Sequence, residues 1–337
     1  DARGMTRGIA PLILGYQAFD PEIRIAGVII NQLGGSRHEA KLRAVIEHYT
    51  DVRVIGGVHR HPELEIIERH LGLIPSNEED ASTSRIRQIR DIIASEVDLD
   101  GLQSVAGSTP LHHEPATPLS VKSGDRVRIG IARDTAFGFY YPDDLIALEQ
   151  AGAKLVDINT IADTSLPDVD GLFIGGGFPE TRMQALAGNT TMREQIRTAI
   201  EAGLPAYAEC GGLMYLCRSL RWKDQCVEMA GVIPADCVMH LRPQGRGYVR
   251  LRETASMPWG GPAPAGDIAA HEFHYSALEN ISGPLDYAYD VVRGTGVDGS
   301  HDGIVIHNLL ASYTHMRDTR QNHWAGRFVD FIRNCRQ

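Results

Sequence analysis

The chain predicts two successive α/β units joined by an irregular segment. Short apolar runs alternate with stretches of helical periodicity, the pattern of parallel βαβ units. One such run ends in the triplet Gly175-Gly176-Gly177, a turn at a strand end. The rhythm breaks over residues 99–124, where Gly, Ser, Pro and His dominate and no apolar period survives. At 337 residues the chain also exceeds the usual size of a single core.

In order along the first unit, the run at 25–31 predicts a buried strand and residues 38–49 a helix carrying Leu42, Val45, Ile46 and Tyr49. Residues 53–58 predict the next strand and 63–71 a short helix. A longer helix follows at 83–97, with Ile86, Ile89, Ile92 and Ile93 on one face. The boundaries expected are 1–100 for this unit, 101–125 for the linker and 126–337 for the second unit.

The second unit opens with a strand at 127–132, then a helix at 142–151 and strands at 154–158 and 171–174. Two helices precede a strand at 205–208. After Cys226 the texture changes to short strands and turns, until a last helix at 324–333. No internal repeat or low-complexity tract interrupts it.

Bulk properties exclude several classes. Apolar residues make up 43% and charged residues 23%, ordinary for a globular protein. No run of 18 or more apolar residues exists, so no membrane span is expected. The opening Asp1-Ala2-Arg3-Gly4 has neither initiator Met nor signal character and reads as a fragment or processed chain. A net charge of −10 speaks against nucleic acid as a partner. Five cysteines, at 210, 217, 226, 237 and 335, form no C-x-x-C pair, which argues against a disulfide framework and a zinc site and for a reducing cytoplasm. No metal ligands are expected.

The chemistry centres on Ala208-Glu209-Cys210-Gly211-Gly212, where a buried strand meets a helix. A residue on such a turn is lifted toward solvent, and a helix N-terminus favours thiolate over thiol. A small buried cysteine beside a glycine pair would read the same way. Gly175-Gly176-Gly177-Phe178-Pro179-Glu180 follows another strand end, and the carboxyl ends of parallel strands share one edge. The amides of Gly176, Gly177 and Gly211 are therefore candidate donors to an oxyanion. His315, after Asn308-Leu309-Leu310-Ala311-Ser312-Tyr313-Thr314, is the candidate base.

These strings, with His271-Glu272-Phe273-His274-Tyr275-Ser276, occur in an order and spacing that resembles the cobyrinic acid a,c-diamide synthase family. The resemblance covers essentially the whole chain. It implies a class I glutamine amidotransferase domain of flavodoxin-like α/β fold at 126–337, with Cys210 forming a γ-glutamyl thioester and His315 as its partner. It also implies that residues 1–100 belong to a dethiobiotin-synthetase-like nucleotide domain, supported by Gly27-Val28-Ile29-Ile30-Asn31 and Glu68-Arg69-His70-Leu71-Gly72-Leu73. Asn31 is then a candidate contact to the nucleotide base, although an Asn closing a strand reads equally well. Glu272, His274 and Tyr275 are candidates for the substrate pocket or an interface; alternatively their spacing describes a strand with one polar face.

Through the resemblance the intact enzyme uses ATP, Mg2+ and glutamine to amidate the a and c acetates of a corrinoid tetrapyrrole, cobyrinic or hydrogenobyrinic acid. No P-loop, G-x-x-x-x-G-K-[ST], stands in the sequence, so this chain is expected to carry only part of the ATP domain and to contribute the glutaminase half. Many class I amidotransferases follow the histidine with x-Glu; here Met316-Arg317 follows, which predicts a Cys–His dyad. The Arg-containing segment from Arg317 to His323 also keeps siroheme or another isobacteriochlorin open as substrate. A non-catalytic tetrapyrrole-binding scaffold is the reading from another class, opposed by the presence of both Cys210 and His315. A homodimer is left open.

Overall fold

The structure, a computed structural model, describes residues 1–65, 68–69, 72–73, 82–107 and 126–336. The chain divides into two compact units, 1–117 and 118–337.

In the first unit, strands Val28–Leu33 and Val54–His59 pair in parallel, with helix Ser36–Tyr49 crossing between them. Leu42 and Ile46, one turn apart on that helix, bury against Ile30 and Leu33 of the first strand. Helices Ser82–Glu96 and Leu99–Gly107 follow. The second of these occupies residues assigned above to the irregular break, and its Val105 packs against Ile55, Val58 and Val97. Helix Ile9–Phe19 was not legible beforehand; Pro11 argues against a helix until it is seen to lie in the first turn, where no N–H is needed. The helix expected at 63–71 does not form as such. Pro62–Leu64 makes one 3-10 turn, and Glu68–Arg69 pairs antiparallel with Gly72–Leu73; the remaining residues of that expectation lie outside those described.

The second unit is built on a nine-stranded sheet. Its spatial order is Ile268–His274, Gly245–Glu253, Asp286–Arg293, His301–Ile306, Leu309–Ser312, Ala206–Glu209, Gly171–Ile174, Val127–Ala132, Ala153–Ile158. The last five are mutually parallel. Numbered by chain order they run 2-1-3-4-5, the flavodoxin-like arrangement. The other four are antiparallel to their neighbours and extend the sheet. The extension curls back: His271, on the outermost strand, exchanges both backbone hydrogen bonds with His315, at 3.1 and 2.7 Å. A separate four-stranded sheet, Gln225–Glu228, Cys217–Trp222, Ile233–Met239 and Ser276–Glu279, packs beside it.

Strand alternation distributes side chains between two cores. Ala206 and Ala208 face one, with Ile174, Leu213 and Met192; Tyr207 faces the other, with Phe173, Trp259, Trp324 and Phe328. Tyr207 stacks on Phe173 at 5.2 Å between ring centroids and meets Trp324 at 5.1 Å. Each such buried aromatic stabilises the fold by about 1.5–3 kcal/mol through area removed from water. Among the described residues no helix is long and apolar enough to cross a membrane.

Candidate active site

Two neighbouring parallel strands, Ala206–Glu209 and Leu309–Ser312, end side by side with Glu209 opposite Ser312. Cys210 leaves the first with φ 46 and ψ −98, a left-handed conformation costly for a residue with a Cβ. Its N–H is held by the Ser312 carbonyl at 2.7 Å. The thiol sits under the Phe273 carbonyl, Sγ to O 4.0 Å, and the residue is 7% exposed. The helix that follows, Gly211–Leu216, has only six residues, so its dipole is a small contribution.

The three glycines named as oxyanion candidates come together here. A Cβ on Gly176 would stand 2.7 Å from Cε1 of His315, and one on Gly211 would stand 2.9 Å from the Gly177 amide nitrogen. Neither position has room for a side chain, and both bring backbone close to the thiol's edge of the sheet.

His315, buried, follows the Leu309–Ser312 strand by three residues and is aimed by contacts on every side. The outermost strand fixes its backbone through His271. Buried Asp302 accepts from the N–H groups of Tyr313 and Thr314, at 3.0 and 3.1 Å. The imidazole Nδ1 of His315 lies 3.2 Å from Oε2 of Glu209. Burial pulls the imidazole's pKa down, but the hydrogen bonds and charges of Cys210 and Glu209 outweigh it and hold the group well above its ordinary value. His271 moves the other way: burial first, then the nearby His315 charge, hold it below its ordinary range.

The structure thus brings Cys210, His315, Gly176, Gly177 and Gly211 to one edge. It adds a carboxylate to the expected dyad. Glu209 is supplied by the residue before the cysteine, whereas the reading above looked two residues past the histidine, where Arg317 stands. The sequence signal was a strand period: Tyr207 and Glu209 share one face, and the Tyr207 hydroxyl donates to Glu209 Oε1 at 2.6 Å.

Glu272 and His274 stand on the outermost strand, Ile268–His274, with both side chains turned inward. Both are buried, at 1% and 4% exposure. Glu272 accepts from the amides of Thr295 and Gly296 at 2.7 and 2.8 Å, and His274 Nδ1 bonds the Ser276 carbonyl at 2.8 Å while its ring stacks on Tyr313 at 3.9 Å. The polar face of this strand is the inward one, turned to the scaffold. Tyr275 lies half-buried on the opposite face with Phe273, 5.6 Å between rings.

In the first unit, a cavity of about 360 Å³ lies at the carboxyl ends of the two parallel strands, lined by Gln32, His59, Arg60, His61, Pro62 and neighbours. The volume suits a base-sized group. Asn31 is exposed and is not part of that lining; its Oδ1 accepts from the Gln32 amide at 2.8 Å. Among the described residues no group of three or more His, Cys, Asp or Glu is placed to hold a metal ion.

Residues 128–322 match the family of CobB/CobQ-like glutamine amidotransferase domains. The chain is 41% identical to a cobyrinate a,c-diamide synthase of Magnetococcus marinus, over 99% of this chain and 72% of that one. It is 38% identical to a cobyrinate a,c-diamide synthase of Methanosarcina acetivorans, over 98% and 70%. Among solved structures, PurLQS of Thermotoga maritima is similar at 16% identity and a TM-score of 0.48, over 63% of this chain and 99% of that one. The chain belongs to the cobyrinate a,c-diamide synthase family, enzymes that take their amide nitrogen from glutamine.

Proposed function

We propose that residues 126–337 hydrolyse glutamine to supply ammonia for amidation of a corrinoid. Cys210 Sγ attacks the carboxamide carbon, and the developing oxyanion is received by the amides of Gly177 and Gly211, with Gly176 completing the cradle. The C–N bond breaks, the nitrogen takes the proton held on His315, and ammonia leaves a γ-glutamyl thioester. Water, deprotonated by His315, then adds to the thioester and releases glutamate and the free thiol. The observation that carries this reading is the pairing of a left-handed Cys210 with His315 at the ends of adjacent parallel strands.

The ammonia amidates the a and c acetate side chains of cobyrinic or hydrogenobyrinic acid, as the names of the relatives at 36–41% identity support. A carboxylate is a poor electrophile, and ATP with Mg2+ supplies the phosphoryl group that activates it. Residues 1–100 are assigned to the dethiobiotin-synthetase-like nucleotide portion of that machinery, with the 360 Å³ cavity as the base site and Asn31 beside it. We assign the reaction to the cytoplasm and leave a homodimer as the assembly to test. The segment that kept siroheme open is occupied with the fold: Arg317 pairs with Asp143 at 2.9 Å, and Asp318 accepts from Ala325 N–H at 3.0 Å at the start of the last helix.

The test is glutamate release from glutamine by wild type, C210A and H315A. Loss of a nucleophile or its base is expected to lower kcat by about 10³-fold or more. Wild-type rates in C210A would remove the assignment. Amide formation on cobyrinic acid, compared with siroheme, decides the substrate.

A further inference from the structure

The His315 imidazole is buried, so its two nitrogens need fixed partners. Nδ1 has one, Glu209 Oε2 at 3.2 Å, and Cys210 is the other group that acts on the ring. Glu209 is 3% exposed, and its other oxygen accepts from the Tyr207 hydroxyl at 2.6 Å and from the Met316 N–H at 3.2 Å. Three donors converge on this carboxylate, an arrangement for a group that only accepts. Resting on the Cys210–His315 reading, we propose that Glu209 is the positioning residue of this glutaminase, holding His315 in the tautomer protonated at Nδ1 and stabilising the imidazolium formed when Cys210 gives up its proton.

The place of Glu209 in the chain gives the device its character. The group that aims the base is covalently adjacent to the nucleophile, on the last residue of the same strand, so thiol and carboxylate hold the imidazole between them from one rigid element. Period-2 alternation makes this workable: Glu209 points into the aromatic core beside Tyr207, while Cys210 turns over the sheet edge. The position two residues past the histidine is engaged elsewhere. Arg317 lies over the Tyr141 ring at 4.2 Å and pairs with Asp143.

Other charges face this centre and set the background for any titration. His271 approaches from the outermost strand, its ring 6.5 Å from that of His315. Asp144, near the start of helix Pro142–Gln150, repels Glu209 and is itself engaged by Arg317. Tyr289 donates to Met316 Sδ at 3.4 Å and feels the Glu209 charge. None of these contacts a nitrogen of His315, which leaves Glu209 as the group that fixes its proton.

The experiment compares wild type, E209Q, E209D, C210A and H315A in the full chain. Glutaminase kcat and KM are measured across pH, and the His315 ring is followed by nitrogen-15 NMR. In folded E209Q, kcat is expected to fall roughly 10²–10⁴-fold, as when the orienting carboxylate of a hydrolase triad becomes an amide. KM should stay within about threefold, because no uniform binding contact is lost. The imidazole midpoint should move down, since one negative neighbour is gone, and E209D should recover part of both changes. A folded E209Q with wild-type kcat, or with an unmoved imidazole midpoint and activity lost only in step with folded protein, overturns the proposal. Should E209Q not fold, E209D decides: its shorter arm is expected to cost about tenfold or more in kcat at unchanged KM, and wild-type kcat overturns it. C210A and H315A keep the two readings separate. Full activity in those variants removes the nucleophile assignment itself, whereas their inactivity beside an active E209Q removes only Glu209.

Discussion

The Thr314 hydroxyl donates to Asp302 Oδ2 at 2.7 Å, one residue before the histidine at the candidate site. With the amides of Tyr313 and Thr314 bound to the same carboxylate, Asp302 fixes the backbone that delivers His315. Burial pushes its carboxyl above the ordinary range, and these three donors oppose the push. D302N keeps the volume but offers an amide to N–H groups. It is expected to lower stability by about 1–3 kcal/mol, the cost of leaving buried groups unpaired, and to reduce glutaminase kcat more than KM. Urea unfolding followed by circular dichroism, with steady-state kinetics, checks this; an unmoved midpoint would show that the loop is held by other contacts.

Glu272 tests whether the inward face of its strand is scaffold. Burial raises its pKa, yet the neighbouring His274 ring and the hydrogen bonds from the Gly296 and Thr295 amides outweigh burial and hold the carboxyl below its ordinary value. A folded-state pKa below the unfolded one gives stability above about pH 4.3 that is lost as pH falls through the folded value. E272Q should therefore be less stable than wild type at pH 7 by about 1–3 kcal/mol, and the gap should close in acid. Its KM for glutamine should be unchanged. An elevated KM at an unchanged unfolding midpoint would instead put Glu272 in contact with substrate.

Asp144 carries the opposite sign. Burial, then repulsion from Glu209, lift its carboxyl to about 6, against the Asp318 N–H at 2.9 Å and the Arg317 guanidinium. The folded state then holds this proton more tightly than the unfolded chain, so stability declines as pH climbs from near 4 to near 6. D144N keeps an oxygen for the Asp318 amide and removes the buried charge. It should be more stable than wild type at pH 7.5 by about 1 kcal/mol after screening and the lost Arg317 partner are allowed for, with the advantage gone by pH 4. Thermal midpoints at the two pH values read this directly, and a D144N less stable at pH 7.5 would sink it.

Much of this molecule is written locally. Apolar runs such as Val127–Ala132 and Gly171–Ile174 are buried on both faces, and their strand identity survives into the structure within a residue or two. Helix Trp324–Cys335 buries Trp324, Ala325, Phe328, Val329 and Ile332, a stripe at helical spacing that pattern alone discloses. Because parallel strands put their carboxyl ends on one edge, the candidate cysteine and glycines were legible as neighbours without coordinates, whereas His315 joined them only through the family resemblance.

What only tertiary structure decided are pairings across long stretches of chain and the choice between two polar faces. Alternation shows that Glu272 and His274 share a face; it does not say that this face turns inward, since that depends on the Thr295–Gly296 amides arriving from the turn after strand Asp286–Arg293. The partner of His315 stands 106 residues upstream, and sequence offers no distance between them. Local physics determined the strands, the turns and which atoms can react. The geometry that joins carboxylate to imidazole comes from the register of two strands in one sheet, which is set by the packing of both cores at once.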